Sequence, residues 1–252
     1  MRINGSVIGS VITSSASNAR GIWDLRNLEI ARRLGLWPNV DSIVTSGLRL
    51  NLDAGNTTSY PGSGTTWYDI SGNSNNATLV NGPTFDSNNG GSIVFDGTND
   101  YVSNTMSNPG SMPITFEFWI YSNSSSPVGI FDTAPNTGDV LRNYSAGNVE
   151  WHIASPSIAL GLSANTWTNI TLQFYFSTNR TIEYYKNGSL ITTGTGSTSS
   201  TYAWNSLTFG NINGGSAGSY SGKMSVIRIY NRTLSSAEVL QNYNATKSRF
   251  GL

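Results

Sequence analysis

Strict alternation is the feature that most constrains this chain. Ile114, Phe116, Phe118 and Ile120 are interleaved with Thr115, Glu117, Trp119 and Tyr121, and Ile170, Leu172, Phe174 and Phe176 repeat the pattern after Trp167. Strand side chains point to opposite faces with period two, so each run predicts a strand with one core face and one solvent face. Glu117 falls on the solvent face by this count. Further on, Ile182–Tyr185 and Leu190–Ile191 frame Asn187-Gly188, a pair that accepts the positive φ values of a type I′ hairpin turn.

A chain of 252 residues is long enough to bury one large sandwich core and carry an appendage. Only 11% of the residues are charged, so solubility rests on Ser, Thr, Asn and Gly, the residues of turn-rich loops. Cysteine is absent, which rules out disulfides and thiolate metal sites. No dense Lys/Arg cluster with interleaved aromatics is present, and no nucleic-acid partner is expected. No apolar run reaches bilayer length, so no membrane insertion is expected. The first residues lack the continuous apolar stretch of a secretory signal, and export by lysis or as part of a particle is the corresponding expectation.

The first forty residues differ in texture from the rest. Gly5–Ile8 and Gly9–Ile12 repeat GSVI, an extended pattern able to add to a partner's sheet edge. Arg2, Arg20, Arg26, Arg32 and Arg33 outnumber Asp24 and Glu29 there, a basic bias suited to docking on an acidic surface or merely to solubilising a helix. Asp24 is a good N-cap, while Leu25, Leu28, Ala31 and Leu34 recur at helical spacing before Gly35 and Pro38, which predicts a short helix over about 24–34. Trp23 and Trp37 bracket it, and so short a helix needs a surface on which to pack.

Three motifs follow in order: Leu52–Gly55 (LDAG), Trp67–Asn73 (WYDISGN) and Phe95–Tyr101 (FDGTNDY). With the turn at Asn187-Gly188 and the strand Gly222–Tyr230 running into Asn231-Arg-Thr-Leu-Ser, they resemble the laminin G-like branch of concanavalin A-like jelly rolls. The resemblance covers roughly residues 46–246. It implies a two-sheet antiparallel jelly-roll sandwich closed by a short C-terminal helix. Residues alone give the same helix start, since Ser235 and Glu238 form a capping box and Leu234 with Val239 a hydrophobic staple. Separately, Gly21, Trp23, Asp24, Leu25, Gly35, Trp37 and Pro38 resemble a segment near the start of tailed-bacteriophage virion proteins. That implies a virion location, with Trp23, Leu25, Leu28, Leu34 and Trp37 as anchoring residues.

Jelly rolls of this kind include glucanases, whose Glu-x-Asp-x-x-Glu strand sets two carboxylates at working separation. Here Glu occurs only at 29, 117, 150, 183 and 238, and none has that spacing to another carboxylate. His152 is the sole histidine and lacks a nucleophile elbow. A non-enzymatic protein is therefore expected, with a free carbohydrate-binding protein or a glycoside hydrolase as the alternative. No cofactor is required. Calcium is the candidate that the resemblance implies, through Asp53, Asp69, Asp96, Asn99 and Asp100, although Asp and Asn beside Gly also cap turns. Glycan contacts need exposed rings beside polar loops, and Tyr202, Trp204, Trp67 and Tyr60 are the candidates.

The resulting expectation is an anchoring arm at 1–40, a jelly roll at 46–246 and a tail at 247–252. The arm would bind other virion proteins of the capsid, neck or tail, and the jelly roll would be displayed for decoration or host-surface glycan attachment, as a homo-oligomer.

Overall fold

A computed structural model of the chain describes residues 42–106, 113–123, 128–133, 140–145, 148–151, 154–155, 158–159, 162–175, 181–196, 204–212 and 218–252. The expected arm and its helix lie outside them. Ile43–Leu252 forms one compact unit.

Two antiparallel sheets make up this unit. The first runs in the spatial order β11 (Ala154–Ser155), β15 (Ser189–Gly196), β14 (Thr181–Lys186), β13 (Trp167–Phe174), β7 (Ile114–Ser122), β17 (Ser221–Tyr230), β5 (Ser92–Asp96) and β4 (Thr84–Asp86), with β1 (Leu48–Asp53) also pairing with β17. The second runs β12 (Ile158–Ala159), β10 (Asn148–Trp151), β9 (Val140–Ser145), β8 (Val128–Asp132), β16 (Leu207–Phe209), β6 (Tyr101–Asn104), β3 (Ala77–Val80) and β2 (Thr66–Trp67). This is the expected jelly-roll sandwich. The hairpin turn also forms as expected, with φ of 49° at Asn187 and 76° at Gly188.

Between the sheets lies an apolar cluster to which β1, β2, β3, β5, β6, β7, β8, β13, β14, β16 and β17 contribute buried residues. Phe116 and Phe118 from the first sheet meet Phe131 of the second at centroid distances of 4.8 and 5.9 Å, and Phe131 meets Phe209 at 5.4 Å. Offset and tilted aromatic pairs of this kind add to the burial term. Strand β17 changes neighbours along its length, from β5 to β1, and a register shift lies between Met224 and Val226 where the change occurs. The extra residue of a bulge locally redirects the strand. Ser225 occupies that position, giving Oγ–H to the Gly91 carbonyl at 2.6 Å while its own carbonyl accepts from Ala54 N–H.

The first sheet is covered on its outer face as well. Helix α1 (Ser236–Thr246) starts at the expected capping box, with the Ser235 hydroxyl accepting from the Glu238 N–H and the Glu238 carboxylate accepting from the Ser235 N–H. Gln173 on β13 fixes the approach to the helix by binding both the N–H and the carbonyl of Leu234. A 3-10 turn, Lys247–Phe250, follows directly. It stacks Phe250 on Trp119 at 4.2 Å and sets it at a tilt against Trp167 at 4.6 Å. The compact unit therefore runs through the residues expected as a tail.

This second cover corrects one sequence expectation. Every residue of β7 except Tyr121 is buried, and Glu117 is fully so. The alternation of β7 separates an apolar interface from a polar one, both inside the protein. Arg228 pairs with Glu117 at 2.9 Å, Asn242 of α1 donates to the other carboxylate oxygen at 2.8 Å, and Asn169 donates at 3.2 Å. A buried charge survives only when paired and hydrogen-bonded in this way.

Candidate functional site

The motif WYDISGN builds a rigid surface along the free edge of β1. Asp69 is its knot: one carboxylate oxygen accepts the N–H groups of Asn51 and Ser71 at 2.9 Å each, and the other accepts Asn75 N–H and Ser71 Oγ–H, also at 2.9 Å. On the opposite side of the segment, the Arg49 carbonyl accepts from Ser71 Oγ, Asn73 Nδ2 and Asn75 Nδ2. Ile70 N–H bonds Asn51 O, and Tyr68 N–H bonds Ser59 O at 2.7 Å. Residues 68–75 thus cover the β1 edge through side-chain and irregular main-chain bonds instead of a ladder, which protects that edge.

Trp67 precedes this knot and is completely buried, so period two turns the next ring outward, and Tyr68 is 45% exposed. Two elements flank the Tyr68 backbone. One is the turn 56–60, closed by Ser59 N–H and Tyr60 N–H on Asn56 O and by Thr58 N–H on Asn56 Oδ1. The other is Asn76, whose Oδ1 accepts from Asp69 N–H at 3.0 Å. Gly55, Asn56, Thr57, Thr58, Gly72, Asn73, Ser74 and Asn76 are exposed. An exposed ring on a segment whose neighbouring exposed residues are neutral amides and hydroxyls can pack against the C–H face of a sugar while its hydroxyls are hydrogen-bonded.

The rings expected at this task are placed elsewhere. Trp67 is in the core, Tyr60 is 3% exposed with its ring on Phe85 and its hydroxyl on the Gly64 carbonyl, and Trp204 is 6% exposed against Phe116. Burial of their faces removes all three as platforms, because a sugar cannot reach them. Tyr202 lies outside the described residues. Loop-like sequence context does not separate these buried rings from the exposed Tyr68, whose placement follows from the pairing of β2 with β3.

The acidic candidates fall in three places: Asp53 at the end of β1, Asp69 after β2, and Asp96, Asn99 and Asp100 together where β5 turns into β6. Asp53 is held by Arg249 at 2.8 and 3.0 Å and caps Gly55 N–H, and Asp69 forms the knot described above. Asp96 caps Thr98 N–H at 2.7 Å, and Asp100 accepts Asp96 N–H at 3.0 Å. Burial holds the Asp100 carboxyl above its ordinary value, and the neighbouring Asp96 charge adds to the effect. Asn99 contributes its carbonyl to Asn81 Nδ2. Among the described residues no group of three or more His, Cys, Asp or Glu is placed to hold a metal ion. These oxygens fit the turn-capping role.

The remaining glutamates of the described side chains are also engaged. Glu183 accepts the hydroxyls of Tyr175 and Tyr185 at 3.0 and 2.8 Å, and burial followed by that carboxylate pushes Tyr175 up to about 12. Glu238 lies between the Ser235 cap and a two-point contact with Arg232, whose hydrogen bond brings it down to about 2. Glu150, His152 and the proposed anchors Trp23, Leu25, Leu28, Leu34 and Trp37 fall outside the residues whose side chains are described.

A family model described as the concanavalin A-like lectin/glucanases superfamily, of the laminin G type, matches residues 96–240, more than half of the chain. The chain belongs to this superfamily. Solved structures of similar fold include the botulinum neurotoxin serotype D binding domain, at 16% identity and a TM-score of 0.61 over 79% of this chain and 51% of that one. A botulinum neurotoxin type C structure concerned with interaction with two ganglioside molecules gives 15%, 0.62, 81% and 52% in the same order. The binding domain of botulinum neurotoxin DC in complex with SialylT gives 14%, 0.60, 80% and 52%. At such identities the likeness is one of fold, and this concanavalin A-like chain spans about half the length of those chains. No curated protein matches it.

Proposed function

We propose that the jelly roll is a non-enzymatic glycan-binding module, displayed on a bacteriophage virion by the arm at residues 1–40. The observation that carries the binding half is Tyr68: a ring 45% exposed, on a segment immobilised by the Asp69 knot and flanked by neutral hydrogen-bonding groups. Preorganisation of this kind lowers the ordering cost of binding. Engagement of Glu117, Glu183 and Glu238 by structural partners supports a binding role over hydrolysis. The similarly folded neurotoxin type C structure concerns gangliosides, which supports glycans as the ligand class. The virion half draws its support from the motif Gly21–Pro38. Many copies on one particle would turn weak single contacts into firm attachment.

A glycan array probed with the full chain on a multivalent scaffold tests the binding half, run beside a reducing-sugar release assay on the glycans retained. Binding without release is expected. Release of sugar, or no retention of any glycan, would overturn this reading. Peptide mass spectrometry of purified particles tests the location, where the chain is expected among the structural proteins.

A further inference from the structure

We infer that Asn81-Gly82 is a self-modifying site, the fastest of the three described Asn-Gly pairs to convert to an acidic residue. The chemistry needs only water. The Gly82 amide nitrogen, having lost its proton, bonds to Asn81 Cγ; the Cγ–Nδ2 bond breaks and ammonia leaves. Water then opens the cyclic imide at either carbonyl, leaving aspartate or isoaspartate.

What ranks the pairs is the freedom to reach that ring. Asn81, Asn89 and Asn187 all start from the left-handed region, with φ of 68°, 53° and 49°, a conformation that asparagine tolerates. Backbone rotation is therefore needed at each, and the surroundings decide whether it is available. The Asn89 amide is held at both ends, its Oδ1 accepting from Trp167 Nε1 at 3.1 Å and its Nδ2 donating to Arg249 O, while Gly90 lies against Arg249. Asn187 is clasped by Asn169 through its N–H at 2.9 Å and its Oδ1 at 3.0 Å, and Gly188 is buried beneath Leu240 and Tyr243. Asn81 has one tie, from Nδ2 to Asn99 O at 2.9 Å. Both Asn81 and Gly82 are exposed, and the space beside the Gly82 Cα is open. Local opening of so lightly held a turn takes little free energy.

Conversion also changes the surface. The Asn81 donor becomes a carboxylate facing the Asn99 carbonyl, so a hydrogen bond gives way to two opposed acceptors. The loop 96–100, which already carries Asp96 and Asp100, loses its tie to the turn after β3 and gains a negative neighbour.

Timed incubation of the full chain at mildly alkaline pH, followed by peptide mapping with mass detection, tests the ranking. Asn81 is expected to show the amide-to-acid mass gain several-fold sooner than Asn89 or Asn187. Equal or faster conversion at either of those positions, or none at Asn81, would overturn the inference. Hydrogen exchange on Asn81→Asp tests the consequence: amides 97–101 are expected to exchange faster than in the parent, and unchanged exchange there contradicts the role given to the tie.

Discussion

The two faces of the central sheet are both buried, and they are held by different physics. The inner face is a continuous apolar cluster in which Phe116, Phe118, Phe131 and Phe209 exclude water. The outer face, beneath α1, mixes the Trp119–Phe250–Trp167 stack with the Glu117–Arg228–Asn242 network. An inner-face position tolerates another apolar residue of similar volume, whereas the polar network must be kept whole or removed whole. Polar alternation along β7 therefore marks the contact surface of the helix and not solvent.

Breaking the outer network should give the largest effect. Glu117→Ala leaves the Arg228 guanidinium buried and unpaired, with an expected loss of about 3–5 kcal/mol in denaturant unfolding. The double variant Glu117→Leu with Arg228→Met should recover much of that loss, and a double variant as unstable as the single one would contradict the argument. Phe250→Ala removes the ring that closes the aromatic stack, and about 3 kcal/mol should follow; a neutral result would mean that the C-terminal turn does not secure this face. Ser235→Ala should cost about 1 kcal/mol through loss of the helix cap.

Acid provides a finer comparison. Glu238 has its carboxyl lowered to about 2, chiefly by its hydrogen bond with Arg232, so its contribution is complete above the ordinary glutamate value of about 4.3. It is lost as pH falls through that value toward about 2. Glu238→Gln should flatten the stability profile over this window, as read from thermal unfolding at successive pH values. Tyr68→Ala should have the smallest effect on stability, within about 0.5 kcal/mol, as befits an exposed ring.

Much of this architecture was legible in the sequence because it depends on local chemistry. Asn187-Gly188 dictates its own turn, and Ser235 and Glu238 their own cap. What was not legible depends on partners distant in sequence. Glu117 is buried because Arg228, 111 residues away, and Asn242, 125 residues away, come to it. Trp204 and Tyr60 sit in loop-like sequence yet turn inward onto Phe116 and Phe85. At the candidate site, the sequence around Asp69 suits a calcium ligand and a turn cap alike, and its four hydrogen bonds are those of the cap. Sequence does not choose between the adjacent rings Trp67 and Tyr68, because which of them faces outward depends on how β2 pairs with β3.

The most direct test of the account is amide chemical-shift mapping on isotopically labelled chain titrated with a glycan retained on the array, repeated with Tyr68→Ala. Shifts are expected to cluster at 55–59, 68 and 72–76 and to vanish in the variant while the rest of its spectrum is preserved. Shifts centred on other residues, or unchanged by loss of the ring, would contradict it.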